Sequence, residues 1–331
     1  DLGRILRVDG TMHGDHFKQV ALEGYLDPHT GSWTARGTMD GLEMSHRLLG
    51  SLPSDVAPYL SVLATLRARA HLGFQVAYKH GAPSPITFTV KGRITEGRVN
   101  DDRLPYPLTD LSADVDCSNK RLSIKNVVGQ MGPATLQLTV TSEQFLQPPL
   151  ELTVGGSIES LPVDSRLRAI LPESLAAGWS KFEPAGLVNI AAELTVKDGR
   201  VEPTVTVDCQ DVSFAYHKFP YRLQRGQGRI NLVGNVLTFT NFTAQAQGQK
   251  VLMSGEFHNP GPESTGWLNI HSAGPVQLTE NDALVQAMND SGQRIMHSLH
   301  STGMVTLRKG RIEKHHANGP THKRFEVDVQ G

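Results

Sequence analysis

Thr195-Val196-Lys197-Asp198-Gly199-Arg200-Val201 is the stretch on which the fold of this chain turns. A β-branched run meets Asp-Gly, a pair suited to the left-handed conformations of a two-residue hairpin loop, and a second β-branched residue follows. The phrase recurs at Thr89-Val90-Lys91-Gly92-Arg93-Ile94 and at Thr306-Leu307-Arg308-Lys309-Gly310-Arg311-Ile312. Each copy is expected to be a strand end, a glycine turn and a returning strand, which makes the chain a tandem array of β-hairpins. Val90 and Val196 lie 106 positions apart (196 − 90), and Val196 and Leu307 lie 111 apart (307 − 196). That period is too long for the common solenoids.

Two further landmarks repeat. Gly37-Thr38-Met39-Asp40-Gly41-Leu42, running through to Leu52-Pro53, falls on Gly156-Ser157-Ile158-Glu159-Ser160-Leu161, running through to Leu171-Pro172, at an offset of 119 (156 − 37). Pro105-Tyr106-Pro107-Leu108 matches Pro220-Tyr221-Arg222-Leu223, and Leu122-Ser123-Ile124-Lys125-Asn126 matches Leu237-Thr238-Phe239-Thr240-Asn241, both at an offset of 115 (241 − 126). Gly24 to Pro28 with Trp33 echoes Gly255 to Pro260 with Trp267. The expected organisation is therefore one continuous rod: 1–36 ends a preceding unit, 37–155 and 156–271 are units, and 272–331 begins a further, truncated one.

Between landmarks the apolar residues keep a period of two, the signature of strands with one apolar face. That face is expected to carry Val90; Leu136, Leu138 and Val140; Leu152 and Val154; Ile190, Leu194 and Val196; Val205 and Val207; Ile230 and Leu232; Leu237 and Phe239; Val251 and Met253; and Leu268 and Ile270. About five strands per unit, joined by short turns, would be antiparallel neighbours. Ser54-Asp55 could cap a helix bearing Val56, Leu60, Leu63 and Leu66, and matching helical text lies at 164–177 and 279–299. Leu48, Leu52, Leu167 and Leu171 are expected to plug or rim the apolar face beside these insertions. Helices so few and short leave a long sheet uncovered, so it must close on itself or curl into a trough. A closed sandwich suits a lone domain; the repeat favours the trough. The expected fold class is thus mostly β: an elongated antiparallel, curled sheet of repeating β-groove units with short helical insertions.

Composition narrows the function. Apolar residues make up 38% and charged residues 20%, a folded composition. With 32 basic and 33 acidic residues and no evident basic run with interleaved aromatics, nucleic acid is not an expected partner. No apolar run reaches the length of a membrane span, and no leader follows Asp1, so any anchor is expected outside this stretch. Fourteen histidines invite a metal, chiefly His315-His316 with His322, or His13 with His16, but no Cys or carboxylate stands at ligand spacing, and solvated loop histidines are expected. Asp101-Asp102 reads as a turn, Asp114 and Asp116 as the outward set of a strand, and Gly226-Gln227-Gly228 as a strand start rather than a phosphate cradle. Cys117 and Cys209 are expected to be small buried side chains, a disulfide being the lesser alternative. With aromatics at 6%, and Trp33, Trp179 and Trp267 scattered, the face is expected to be aliphatic. No enzyme and no cofactor are expected.

These repeats, the Leu-Pro helix ends and the Lys-Asp-Gly-Arg turn resemble the AsmA and TamB-like proteins of bacterial envelopes, relatives of bridge-like lipid transfer proteins built from repeating β-groove units. The resemblance spans essentially the whole chain. It implies a non-enzymatic trough that conducts phospholipid acyl chains between envelope membranes, in the periplasm, with an inner-membrane anchor outside this stretch. An alternative class is an envelope scaffold that presents strand edges to partner proteins during outer-membrane biogenesis. A third, an enzyme on a parallel β-helix, needs far shorter coils.

Overall fold

Period-two alternation builds strands throughout the computed structural model, which describes residues 5–45, 48, 65–144, 151–197, 199–261, 263–279, 282–298, 300 and 302–330. The chain divides into two units, Asp1–Ser157 with Glu193–Glu202, and Ile158–Ala192 with Pro203–Gly331. The first unit holds β1 (Leu6–Gly14), β2 (Phe17–Asp27), β3 (Ser32–Met44), β4 (Leu66–Tyr78), β5 (Ile86–Val99), β6 (Leu108–Ser118), β7 (Leu122–Met131) and β8 (Ala134–Ser142). Each pairs antiparallel with the next. Three strands contribute to both units: β9 (Leu152–Val163), β10 (Ala185–Lys197) and β11 (Arg200–Tyr216).

The second unit continues with β12 (Phe219–Val233), β13 (Val236–Ala246), β14 (Gln249–His258), β15 (Thr265–Ser272), β16 (Val276–Thr279), β17 (Thr302–Lys314) and β18 (His322–Gln330). From β11 to β15 each strand pairs antiparallel with its successor, β15 and β16 both pair with β17, and β17 pairs with β18. Helices α1 (Ser165–Ile170) and α2 (Glu173–Phe182) follow β9, while α3 (Ala283–Gln286) and α4 (Asp290–Ser298) separate β16 from β17. Asp164 caps α1 by accepting from the Arg166 and Leu167 amides. The fold class is as expected: mostly β, antiparallel, with a few short helices.

Only one of the three opening phrases proves to be a turn. Lys197 ends β10, Arg200 begins β11, and Gly199 between them has φ +70°, a left-handed conformation that suits glycine. Gly92 lies inside β5, and a Cβ there would stand 2.0 Å from the His71 carbonyl oxygen. Gly310 lies inside β17, where a Cβ would stand 2.7 Å from Ile270 Cγ2. In both, glycine permits close strand approach instead of chain reversal. Gly226-Gln227-Gly228 likewise sits within β12 and does not start it. Leu66 opens β4 and is no part of a helix; residues 54–64 and Leu52 lie outside the described residues.

The other landmarks hold at the level of backbone. Gly41 and Ser160 share left-handed φ values of 64° and 59°, Asp110 and Arg225 of 54° and 50°, Asn126 and Asn241 of 52° and 54°. Pairing register breaks beside five of these six: between Met39 and Leu42, Thr109 and Ser112, Ile124 and Val127, Gln224 and Gln227, and Phe239 and Phe242. These are β-bulges, which bend a strand and let apolar residues three apart share a face.

In each unit the bulges separate two arms. One arm of the first unit buries Leu66, Ala70, Leu108, Val127, Met131 and Ala134, while Leu72, Phe74, Val115, Ile124 and Val140 on the other arm stay half-buried. In the second unit Val212, Phe242, Ala244, Val251 and Met253 are buried, against half-buried Val205, Ile230 and Leu237. There α3 packs on β12 and β16 and buries Val285 to 1% exposure. Each such side chain contributes roughly 1.5–3 kcal/mol. Leu48, Leu167 within α1 and Leu171 at its C-terminal end are half-buried.

Candidate functional site

Following the register across the first unit traces rows of side chains that share one face. Met12, Val20, Met39, Leu72, Gly92, Val115, Ile124 and Val140 stand opposite one another, one from each of β1 to β8. A parallel row reads Gly10, Leu22, Gly37, Phe74, Val90, Cys117, Leu122 and Ser142. The intervening row, on the opposite face, reads Thr11, Ala21, Thr38, Gly73, Lys91, Asp116, Ser123 and Thr141. Apart from its glycines, Cys117 and Ser142, the first face is hydrocarbon; the other is mostly polar.

The second unit repeats the arrangement. Val207, Ile230, Phe239, Gly255, Leu268 and Ile312 form one apolar row, and Val205, Leu232, Leu237, Phe257 and Gly266 another. Between them on the reverse face run Thr206, Asn231, Thr238, Glu256, Trp267 and Glu313. Ring pairs thread the apolar face: Phe214 to Phe242 at 6.1 Å, Phe242 to Phe239 at 6.2 Å, and Phe239 to Phe257 at 6.3 Å. The face is therefore not purely aliphatic as expected. Bulges bring Phe239 and Phe242 together despite their odd spacing, so alternation alone does not find Phe242.

The ion pairs lie on the reverse face, whereas Lys314 opposite Gly266 and Lys323 opposite Ile312 end the two apolar rows of the second unit. Arg36 pairs with Glu23 at 2.6 Å, Lys91 with Asp116 at 3.0 Å, Arg229 with Asp208 at 2.7 Å and Arg311 with Glu313 at 2.7 Å. Hydrogen bonds from Tyr25, then from Arg36, hold the Glu23 carboxyl below its usual range. Such surface pairs add little stability; the first three join neighbouring strands, whereas Arg311 and Glu313 stand two residues apart on β17. Arg311 also lies over the Trp267 ring at 5.3 Å. Trp33 stands opposite Leu26 and Tyr78 on the apolar side, so the two tryptophans of the sequence echo occupy opposite kinds of face.

The expected face residues fall as follows. Val90, Val140, Val205, Val207, Ile230, Leu232, Leu237, Phe239 and Leu268 lie in these rows and are half-buried. Leu138 stands opposite Val127, and Ile270 opposite Met253 and Gly310, beside the bulges. Leu136, Val251 and Met253 are buried in the closed arms and not presented on the open face. Leu152 and Val154 on β9, and Ile190, Leu194 and Val196 on β10, are half-buried. Sequence reasoning passed over Leu72, Phe74, Val115, Ile124, Phe257 and Ile312, each of which alternation could have supplied.

Both cysteines are free thiols: Cys209 is buried, Cys117 only half-buried. Burial, and then the neighbouring Asp208 charge, pushes the Cys209 thiol up to about 11. Among the described residues no three His, Cys, Asp or Glu side chains are grouped to hold a metal ion. His315 and His322 approach at 5.9 Å between ring centroids, with Glu313 3.6 Å from His315; His13 lies in β1 and His322 opens β18, so neither is a loop residue. No family profile, curated protein or solved structure matches the chain.

Proposed function

We infer that this chain is a non-enzymatic lipid-binding and lipid-transfer module whose apolar face receives the acyl chains of phospholipids. The observation that carries the reading is the pair of largely apolar rows in each unit, most of their side chains half-buried, with ion pairs on the reverse face. A surface of this kind left bare in water is costly, and hydrocarbon needs no specific polar partner to cover it. At roughly 0.8 kcal/mol per methylene, sheltering a sixteen-carbon chain is worth ~13 kcal/mol, enough to remove the main barrier to moving lipid through water. The resemblance to AsmA and TamB-like proteins supports the same reading and suggests the bacterial periplasm as its place and the membranes of the envelope as its termini.

Native mass spectrometry of the protein purified from cells tests this. Co-purified phospholipid, reduced in the Leu232→Asp variant and retained in Asn231→Asp, is the expected result. A lipid-free species that also fails to take up a radiolabelled phospholipid would overturn it and favour a scaffold.

A further inference from the structure

The near-neutral charge of the whole chain hides a local imbalance. Tyr216-His217-Lys218-Phe219-Pro220-Tyr221-Arg222-Leu223-Gln224-Arg225 contains three cations and three aromatic rings and no acidic residue, a basic run with interleaved aromatics that reading the total charge passes over. It forms the end of β11, the tip of the β11–β12 hairpin and the start of β12. Tyr216 and Phe219 stand opposite one another at that tip and are 37% and 39% exposed.

A helix is fastened beside this tip. The His217 amide donates to the Lys181 carbonyl at 2.8 Å, and the Phe182 and Tyr216 rings lie 5.4 Å apart. Leu175, Trp179 and Phe182 are four and three residues apart on α2 and so share one helical face. Leu175 and Phe182 are 41% and 45% exposed. Lys181 adds a cation, and Glu183 answers Arg222 at 3.7 Å. Helix and hairpin together expose apolar rings and a leucine, edged by amphipathic Tyr, Trp and His side chains and by a surplus of cations.

We propose that this tip docks on the headgroup–acyl boundary of an anionic lipid bilayer. Tyr and Trp favour that boundary because one end of the ring is apolar and the other wet. The cations complement acidic headgroups, while the exposed Leu and Phe side chains insert where a nucleic acid would offer them only base faces. The tip lies nine residues along β11 from Val207 (216 − 207), so docking and acyl-chain transfer are tested by different variants.

Flotation with vesicles of phosphatidylcholine containing about one third phosphatidylglycerol, against phosphatidylcholine alone, is the test. Binding to the anionic vesicles is expected, weakening as salt rises from about 0.1 M to about 0.5 M. Lys218→Ala should weaken it roughly fivefold. Phe219→Ser, or Phe182→Ser on the helix should the hairpin variant misfold, should weaken it about tenfold. Lys120→Glu, in a turn of the other unit, should leave it unchanged. Phospholipid retained from cells should survive Lys218→Ala and Phe219→Ser, whereas Leu232→Asp should lower retention and spare vesicle binding. Equal binding of parent and both tip variants would overturn the proposal. So would vesicle indifference combined with nucleic-acid binding that the same variants lose.

Discussion

Asn126 and Asn241, 115 positions apart (241 − 126), hold the same left-handed backbone conformation, with φ of 52° and 54°, at equivalent bulges of β7 and β13. Ile124 and Val127 flank one, Phe239 and Phe242 the other, and the two apolar side chains of each pair thereby share one face of their own unit. The bulge is what lets one strand serve both a buried arm and an open one.

Asparagine tolerates this conformation better than most residues; a β-branched side chain does not. Asn241→Val is expected to cost about 1–2 kcal/mol. Asn241→Gly should stay within about half of that. Urea denaturation midpoints of the two variants check the ranking, and equal midpoints would show that the bulge is not strained.

The recurring glycines should respond according to their two roles. Gly92→Ala drives a methyl group against the His71 carbonyl at 2.0 Å, so backbone must move, and a loss of about 2–3 kcal/mol is expected. Gly199→Ala meets nothing within 4 Å and incurs only the positive φ, about 1 kcal/mol. Thermal melts showing the reverse order would place the turn at Gly92 after all.

Leu232 and Met253 distinguish open face from closed core. Met253 is 6% exposed, whereas Leu232 is half-buried opposite Val205 and Leu237. Met253→Asp buries an unpaired carboxylate and should unfold the protein or cost more than about 3 kcal/mol. Leu232→Asp should shift the midpoint by less than about half as much, since its carboxylate can reach water. Comparable collapse of both, read by circular dichroism, would mean the open rows are a dry core.

The Cys209 thiol, pushed up to about 11 by burial and Asp208, stays protonated at neutral pH. Because its folded value lies above the ordinary 9.0, its contribution to stability is present below that value and is lost as pH rises through about 11. Iodoacetamide at pH 8 should therefore modify Cys117, half-buried and less strongly shifted, well before Cys209. Denaturant should abolish the difference. Equal labelling of the folded protein would show that β11 opens readily.

Residues of the sequence already carried the strand text, the antiparallel class and the repeat, because period-two alternation and bulge-forming Asn and Gly are local properties of the chain. Val207, Ile230 and Phe239 were legible as one face for that reason. Locality also explains the misreadings: Gly92 and Gly199 look alike in sequence, yet one is required by a neighbouring strand and the other by its own φ. Tertiary structure alone decided which apolar positions close into core, such as Met253 and Leu136, and which stay open, such as Leu232 and Val140. It alone joined α2 to the β11–β12 tip, since the bond from His217 to Lys181 spans 36 positions (217 − 181) that no periodicity links. Burial depends on what packs above a side chain, and that neighbour lies elsewhere in the chain.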